Sequence, residues 1–302
     1  MRIGVDLGGT KIEALALDSN ATTLLRHRVP TPAGDYSAIV NAVADLVALT
    51  EKDLGRIGTV GVACPGAIST KTGLLKNSNT AALNGKPLDR DLATKLGRPI
   101  RLENDANCFA FSEAVDGSAA GARVVFGVIL GTGVGGGIVI DRQLLRGNNK
   151  IAGEWGHNPL PWPRHNESPG VPCYCGKSGC IETFLSGTGI SRDYRMRTGK
   201  SLMAEEIVQA AETGNIAAQE CLDVFQDRLA RSLAAVIDIL DPDMIVLGGG
   251  LSNIMQLYAA LPALVGVHVF SDAVDTPIVR AAHGDSSGVR GAAWLWPIVG
   301  AP

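Results

Sequence analysis

The amino-acid sequence predicts an α/β fold that is duplicated within one chain and divided into two domains. The length, 302 residues, is about twice that of a typical domain. Two glycine-containing hairpins are expected, one at residues 3–17 and one at residues 124–141. In both halves, short strand-like runs alternate with segments of helical periodicity, which favours mixed sheets covered by helices.

The composition indicates a globular protein that acts on small molecules. Hydrophobic residues make up 46% of the chain and charged residues 19%, the balance of a folded protein. The formal net charge of −3 provides no basic field that would attract a phosphodiester backbone. We therefore expect a small-molecule substrate and no nucleic acid partner.

No membrane segment is expected. Asp6 follows only a few apolar residues at the start of the chain, which excludes the apolar core of a signal peptide. A run of 18 uncharged apolar residues does not occur elsewhere in the sequence. These features predict a cytoplasmic protein.

The first half begins as a meander of strands. Apolar runs at residues 3–7, up to Leu17 and at Thr22 to Val29 predict three strands, and helical spacing follows over residues 36–54. A strand at Thr59 to Cys64 comes next. Further along, a short helix from Asp89, a strand at residues 100–103 and a helix at residues 105–115 are predicted.

The small residues at 117–122 predict a hinge between the domains. The predicted division is 1–118 for the N-terminal domain and 119–296 for the C-terminal domain. An alternative adds residues 297–302 to the N-terminal domain. In the C-terminal domain residues 150–182 are irregular, and the periodicity predicts strands at 124–130, 137–141 and 244–247 and helices at 204–212, 216–240 and 288–296.

The segment from Asp6 to Lys11 reads Asp-Leu-Gly-Gly-Thr-Lys and follows the first predicted strand. Gly8 and Gly9 allow a phosphate to approach backbone N–H groups, and Thr10 adds a hydroxyl donor. A nearby carboxylate such as that of Asp6 is suited to hold Mg²⁺, directly or through water. The alternative is an ordinary tight hairpin with a surface aspartate.

The segment from Gly131 to Gly137 contains the glycine spacing of a dinucleotide fingerprint. A Rossmann turn must open a helix, whereas the residues after Gly137 continue as a strand, so this segment is a second hairpin. Two glycine hairpins, one in each half, can hold one polyphosphate from both sides of a cleft. The pair is therefore more specific for a nucleotide than either hairpin alone.

A third candidate is a metal site in the irregular segment. Three of the six cysteines, Cys173, Cys175 and Cys180, lie close together, and His157 precedes them. Three thiolates and one imidazole suit a closed tetrahedral Zn²⁺ site, which is structural and not catalytic. The alternative is a set of buried free thiols.

The pair Asn104-Asp105 stands where a strand ends and a helix begins. A carboxylate at this position is suited to accept a proton from a substrate hydroxyl, and the amide can bind neighbouring hydroxyls. The alternative is helix capping by Asp105. Glu154 and Glu182 have a similar ambiguity, because each can bind sugar hydroxyls or lie on the surface.

Taken together, these motifs resemble the kinases of the family of repressors, open reading frames and kinases (ROK), within the actin–hexokinase superfamily. The resemblance covers essentially the whole chain. It implies an actin-like ATPase fold, also called ribonuclease H-like, with two α/β domains around a central cleft. The matching segments are Asp6 to Lys11, Gly131 to Gly137, Glu154 to His157, Cys173 to Glu182 and Gly248 to Gly250.

The resemblance also implies roles for individual residues. Asp105 is expected to be the catalytic base, and His157 is expected to bind zinc through one ring nitrogen and a sugar hydroxyl through the other. The residues expected to contact the sugar are Asn104, Asp105, Glu154, His157, Glu182 and Gly66. The residues expected to contact Mg²⁺-ATP are Asp6, Gly8, Gly9, Thr10, Lys11, Gly131, Thr132, Gly133, Gly135, Gly136, Gly137, Gly248, Gly249 and Gly250.

Within this family, residues 153–162 and 283–291 resemble bacterial fructokinases of the mannofructokinase type. The expected reaction is therefore transfer of the γ-phosphoryl group of ATP to the 6-hydroxyl of fructose, with mannose as a second substrate. A glucokinase or an N-acetylhexosamine kinase is the alternative within the family. A sugar sensor or repressor without catalysis is the alternative of another class, and the family implies a homodimer.

Overall fold

The computed structural model describes residues 1–32, 34–284 and 287–297. The strands are β1 (Arg2–Leu7), β2 (Lys11–Leu17), β3 (Thr23–Pro30), β4 (Thr59–Cys64), β5 (Ala67–Ile68), β6 (Leu75–Lys76), β7 (Ile100–Asn104), β8 (Val124–Leu130), β9 (Val134–Ile140), β10 (Gln143–Leu144), β11 (Met244–Gly248) and β12 (Ile278–Arg280). The α-helices are α1 (Tyr36–Leu54), α2 (Leu88–Leu96), α3 (Asp105–Asp116), α4 (Glu182–Leu185), α5 (Gly187–Thr198), α6 (Ala204–Glu212), α7 (Ile216–Leu240), α8 (Gln256–Gly266) and α9 (Ser287–Trp294).

The first large sheet has the strand order β3-β2-β1-β4-β7. β1 and β2 pair antiparallel, as do β2 and β3, whereas β1, β4 and β7 run parallel. In this register Asp6 is opposite Ala63, and Cys64 is opposite Asn104. The carboxyl ends of the three parallel strands therefore bring Asp6 and Asn104 to the same edge of the sheet.

The second large sheet has the order β10-β9-β8-β11-β12, which repeats the order of the first. β9 and β10 pair antiparallel, and β11 lies parallel to both β8 and β12. The matching order confirms the predicted duplication of an α/β fold.

Helix α1 illustrates how local sequence signals set the element boundaries. The Asp35 carboxylate accepts a hydrogen bond from the Ala38 N–H and caps the first turn. Gly55, with φ of 65°, ends the helix in the left-handed conformation that glycine adopts without strain. The apolar stripe that this spacing creates is buried at Ile39, Val40, Val43, Leu46 and Val47.

Helix α9 lies unusually close to the first sheet and to α3. A Cβ at Gly61 of β4 would lie 1.9 Å from the Ala292 carbonyl oxygen, and one at Gly291 would lie 1.7 Å from the Cys108 carbonyl oxygen. Backbone therefore packs directly on backbone at both contacts, and any side chain would push the elements apart.

The chain divides into two compact units. Unit 1 contains Met1–Gly121, Gly137–Ala152 and the described residues from 287 onward, and unit 2 contains Ala122–Gly136 and Gly153–Gly284. The predicted boundary at 118/119 is close to the first crossing, but residues 137–152 and α9 lie in unit 1 and not in the second domain. The physical reason is packing of α9 on the first sheet and on α3. Residues 285–286 and 298–302, which enter two of the predictions, lie outside the described residues.

The other differences from the predicted elements concern boundaries and short segments. The strand predicted at 137–141 begins earlier, at Val134, and the predicted last helix ends at Trp294. Helix α5 and strand β12 were not predicted. None of the helices in residues 1–32, 34–284 and 287–297 combines the length and hydropathy that a bilayer span requires.

Candidate active site

The first glycine turn, between β1 and β2, is held in a fixed shape. The Gly8 N–H donates to the Lys11 carbonyl at 3.0 Å, and the Thr31 hydroxyl donates to the Gly8 carbonyl at 2.7 Å. The Thr31 N–H donates to the Thr10 carbonyl at 3.0 Å. Gly9, in the middle of the turn, is exposed, so the turn presents its backbone to a ligand.

Asp6 and Asp105, both in unit 1, lie close enough to affect one another. The pKa of Asp6 is raised to about 7, first by burial and then by the negative charges of Asp105 and Glu13, while Lys11 opposes the shift. A carboxylate pair of this kind attracts a divalent cation, since the cation would relieve the repulsion.

The start of α3 distinguishes Asn104 from Asp105. Asn104 Oδ1 accepts hydrogen bonds from the N–H groups of Ala106 at 2.9 Å and Asn107 at 3.2 Å, so Asn104 is the helix cap. Asp105 Oδ1 also accepts from the Ala106 N–H, at 2.9 Å. Asn104 Nδ2 donates to the Gly66 carbonyl at 3.3 Å. The capping role considered for Asp105 is therefore filled by its neighbour.

Glu103, which the sequence analysis did not single out, anchors this pair. Its Oε1 accepts from the Asn104 N–H and from Asn107 Nδ2, both at 3.0 Å, and its Oε2 accepts from Arg146 Nε. The carboxylate is buried at the end of β7. An acidic residue in a predicted strand, directly before the pair Asn104-Asp105, was the available signal.

Gly66 lies where the chain makes a close approach to the loop after β6. Its φ is 87°, and a Cβ there would lie 2.4 Å from the Lys76 carbonyl oxygen and 2.9 Å from the Ser78 nitrogen. The structure thus supplies a packing reason for this glycine, and its contact with a sugar stays a prediction.

The second glycine turn, in unit 2, is likewise fixed by hydrogen bonds. The Gly131 N–H donates to the Gly133 carbonyl at 3.0 Å, and the Gly187 N–H donates to the Gly131 carbonyl at 2.8 Å. The Val134 N–H donates to Glu182 Oε2 at 2.9 Å. One oxygen of a predicted sugar-binding acid therefore holds the glycine turn.

The three predicted glycines after this turn belong to a strand. Gly135, Gly136 and Gly137 lie within β9, beyond the turn. The Gly135 carbonyl accepts from Trp155 Nε1 at 3.0 Å, a Cβ at Gly136 would lie 2.7 Å from the Trp155 ring, and one at Gly137 would lie 2.7 Å from the Ala106 carbonyl oxygen. These contacts give a packing reason for the glycines, and their contact with a phosphate stays a prediction.

A cavity of about 580 Å³ in unit 2 lies beside the second glycine turn. Of the three predicted glycines at the end of β11, Gly248 is the last residue of the strand and Gly250 lines the cavity. Gly249 is fixed by packing, with its Cβ position 2.4 Å from the Leu130 carbonyl oxygen. The volume suits a nucleoside. Its other walls come from α5, which was not predicted, from the start of α6 and from the second glycine turn. They include Gly131, Thr132, Ser191, Arg195, Met203 and Glu205.

The predicted sugar-binding residues of unit 2 lie around Tyr174. His157 Nε2 and the Tyr174 hydroxyl are hydrogen-bonded at 3.0 Å, so this ring nitrogen has a protein partner where a sugar hydroxyl was expected. The pKa of Tyr174 is raised to about 12, first by burial and then by the charges of Glu182 and Glu154. Glu154, His157 and Glu182 thus share Tyr174 as a neighbour, and their contact with a sugar stays a prediction.

The four candidate metal ligands also come together. Their ligand atoms, from His157, Cys173, Cys175 and Cys180, all lie within 4.8 Å of one another. Cys175 Sγ and Cys180 Sγ are 3.6 Å apart, and Cys173 Sγ is 3.6 Å from His157 Nδ1. Bonds of about 2.3 Å to a tetrahedral zinc place two sulfurs about 3.8 Å apart, so the donor set and spacing fit that ion.

Two solved structures place this architecture among sugar kinases. A ROK hexokinase from Thermus thermophilus superposes with a TM-score of 0.86 at 30% identity, covering 97% of this chain and 96% of the other. A ROK family glucokinase from Streptomyces griseus, in complex with glucose and AMPPNP, has a TM-score of 0.81 at 27% identity, covering 97% and 98%. The fold is thus the duplicated actin-like ATPase fold of the sugar kinases.

The profile of the ROK family matches residues 2–298. The chain belongs to the ROK family, within its sugar kinases. Among its relatives, an N-acetyl-D-glucosamine kinase of Haemophilus influenzae is 42% identical over 301 residues, covering 98% of this chain and 99% of the relative. One of Vibrio cholerae is 43% identical over 299 residues, with the same coverage.

Proposed function

We propose that this ATP-dependent sugar kinase phosphorylates N-acetyl-D-glucosamine at its 6-hydroxyl group. The observation that carries this substrate is the similarity, over 98% of the chain, to relatives named for that activity. It favours the N-acetylhexosamine alternative over fructose. The segments at 153–162 and 283–291, which led to fructose, are therefore not sufficient to define the sugar.

Asp105 would act as the general base. Its carboxylate lies at the start of α3, where Asn104 already caps the helix, so Asp105 is available for chemistry without loss of the cap. The buried Glu103 holds the Asn104 backbone in place. A base fixed in this way can remove the hydroxyl proton as the oxygen attacks phosphorus.

The cavity of unit 2 would hold the nucleoside of ATP, and the turn at 131–133 beside it would contact phosphate. In unit 1, the turn at 8–10 is a separate candidate for phosphate binding. The backbone N–H groups of such turns bind phosphate oxygens with fixed geometry. Asp6 is suited to hold Mg²⁺, directly or through water, and the ion would offset charge on the phosphoryl group.

Zinc would be bound by His157, Cys173, Cys175 and Cys180. The support is the donor set, the 3.6 Å sulfur separation and the lack of regular secondary structure in much of this segment. The ion would fix the loop that carries Tyr174, and it would orient the His157 ring.

The substrate proposal is tested by measuring ADP release with a panel of sugars. We expect kcat/KM for N-acetyl-D-glucosamine to exceed the values for N-acetylmannosamine, glucose, mannose and fructose by about tenfold or more. A preference for fructose or mannose would overturn the proposed substrate. ADP release with none of the sugars would favour the sensor.

The role of Asp105 is tested by Asp105→Asn. We expect kcat to fall by about 10²–10⁴-fold, the usual contribution of a general base, without a fall in melting temperature, because Asn104 caps the helix and the change also removes a charge that repels Asp6. Asp45→Asn, an exposed change on α1, is the matched control. Near-normal turnover of the Asp105 variant would remove this residue from the role of base.

The zinc proposal is tested by metal analysis of the purified protein. We expect about one zinc per chain, loss of the metal in Cys175→Ser, and a raised KM for the sugar after chelation. Cys221→Ser changes a buried cysteine outside the cluster and should retain the zinc. Metal-free protein with full sugar affinity would contradict the proposal.

A further inference from the structure

The hydroxyl group of Thr80, in the loop after β6, is buried without a hydrogen-bond partner among the residues that the structure describes. Burial of an unpaired hydroxyl disfavours folding, so such groups usually have a partner. A partner that comes with the substrate would account for this hydroxyl.

The hydroxyl lies beside the first glycine turn. A Cβ at Gly9 would lie 3.6 Å from Thr80 Oγ1, and it is the nearest heavy atom to that position. Gly9 itself is exposed in the middle of the turn. An oxygen bound to the turn at this point would therefore be within reach of the Thr80 hydroxyl.

The loop that carries Thr80 is held rigidly by its own hydrogen bonds. Asn84 bridges Ser78, accepting from its N–H at 2.9 Å and donating to its carbonyl at 2.8 Å. The Thr80 N–H donates to Ser78 Oγ at 3.1 Å, and the Leu83 N–H donates to the Thr80 carbonyl at 3.0 Å. The hydroxyl is thus positioned before any ligand binds, which is the condition for efficient electrostatic stabilisation.

The other end of the same loop reaches the residues next to the candidate base. The Ser78 nitrogen lies 2.9 Å from the Cβ position of Gly66, and the Gly66 carbonyl accepts from Asn104 Nδ2. Thr80 therefore lies on a loop that connects the surroundings of Asp105 with the glycine turn. This is where the phosphoryl group must be during transfer if the turn binds phosphate.

We propose that Thr80 is a phosphate-binding residue whose hydroxyl donates a hydrogen bond to an oxygen of the terminal phosphoryl group of ATP. The inference rests on the proposed function, in which the turn at 8–10 binds phosphate. It adds a side-chain donor to a turn that otherwise offers backbone N–H groups and the Thr10 hydroxyl.

Thr80→Val tests the proposal, because valine keeps the shape of threonine and removes the hydroxyl. Thr59→Val is a matched control in the same unit. Thr59 Oγ1 is also buried without a partner among the described residues, but Thr59 begins β4, at the opposite end of the strand from Cys64. Thr80→Ser restores the hydroxyl and completes the series.

We expect Thr80→Val to lower kcat/KM for Mg²⁺-ATP by about 10- to 100-fold, with less than about a twofold change in KM for the sugar. Both valine variants should melt at or above the wild-type temperature, since each removes a buried unpaired hydroxyl. Thr59→Val should retain wild-type kinetics, and Thr80→Ser should remain within about threefold of wild type.

Wild-type kinetics in Thr80→Val would overturn the proposal. So would a loss confined to KM for the sugar, or a fall in melting temperature that accompanies the kinetic loss, because the hydroxyl would then bind the sugar or support the fold. All variants are assayed with the best acceptor found in the sugar panel. Failure of N-acetyl-D-glucosamine as that acceptor would refute the proposed substrate and leave the test of Thr80 intact.

Discussion

The environment of Asp6 makes a carboxyl group costly to ionise in the folded protein. Its pKa is raised to about 7, whereas an aspartate in an unfolded chain titrates near about 4. Between these two pH values the folded protein holds a proton that the unfolded chain has released. The free energy of unfolding therefore falls as the pH rises from about 4 to 7, and this contribution is constant above that range.

Asp6→Asn should stabilise the metal-free protein. The neutral amide resembles the protonated acid, so the variant avoids the repulsion from Asp105 and Glu13. We expect its melting temperature in EDTA to exceed that of the wild type at pH 8, with a smaller difference at pH 5. Asp45→Asn should show no such pH dependence, and equal melting temperatures of Asp6→Asn and wild type at pH 8 would contradict the cause given for the shift.

Single residues were predictable from sequence where their motif is local. Asp6 with its adjacent glycines, and Asn104 with Asp105, could be selected as candidate site residues because the strand, the turn and the polar group are contiguous in sequence. Tyr174 and Thr80 were not predictable, since only the tertiary fold brings the Tyr174 hydroxyl to His157 Nε2 and the Thr80 hydroxyl beside the first glycine turn. The same holds for the packing of Gly137 against α3, where its Cβ position lies 2.7 Å from the Ala106 carbonyl oxygen.

Among the elements, α7 secures the irregular segment that carries the metal ligands. Arg231, which is 2% exposed, donates to both oxygens of the buried Glu167 at 3.0 Å and to the carbonyls of Pro161 and Trp162. Arg228 donates to Glu167 as well, at 2.7 Å. Two guanidinium groups thus neutralise one buried carboxylate, and the segment is bound to the helix by charge-assisted hydrogen bonds.

Arg231→Met should destabilise unit 2 strongly. The change leaves Glu167 buried with one guanidinium partner fewer and orphans two carbonyl groups, so we expect a loss of about 3 kcal/mol in the free energy of unfolding, measured by urea titration. Arg197→Met removes an exposed ion pair with Glu220, whose side chain is 51% accessible, and should cost less than about 1 kcal/mol. Equal losses of unfolding free energy in the two variants would show that burial of Glu167 and its arginine partners does not set the size of the loss.

Helix α5 shows why one wall of the cavity in unit 2 escaped prediction. Its buried positions are only Gly189, Ile190 and Tyr194, so it has no apolar stripe that a periodicity analysis detects. It begins with Gly-Thr-Gly, which favours a turn by composition. By contrast, α1 and α7 bury long stripes and were predicted over their full lengths.

For the whole molecule, the duplicated sheet order was predictable because each half begins with the same glycine hairpin. The division into units was only partly predictable. Residues 137–152 return to unit 1 after a short excursion through unit 2, and α9 is remote in sequence from residues 1–121. The place of both in unit 1 depends on tertiary contacts that no local pattern encodes. The homodimer remains a prediction from the family.

Gly61→Ala should disrupt the packing of α9 on the first sheet. A methyl group 1.9 Å from the Ala292 carbonyl oxygen forces the helix and strand apart, and we expect the free energy of unfolding to fall by about 3 kcal/mol or more. Gly266→Ala, at the end of α8, adds the same methyl group where no other atom lies within 4 Å, and it should be nearly neutral. Similar unfolding curves for the two variants would refute the close contact.

Helix α9 is synthesised long after the strands that it covers. The strands of the first sheet leave the ribosome early, but the helix that covers β1 and β4 is translated only at residues 287–294. At about 5–20 residues per second, the nascent sheet waits on the order of ten seconds or more for its cover, while residues 153–284 emerge in one continuous stretch. Translation order and assembly order are therefore decoupled, and the first part synthesised is among the last to be completed.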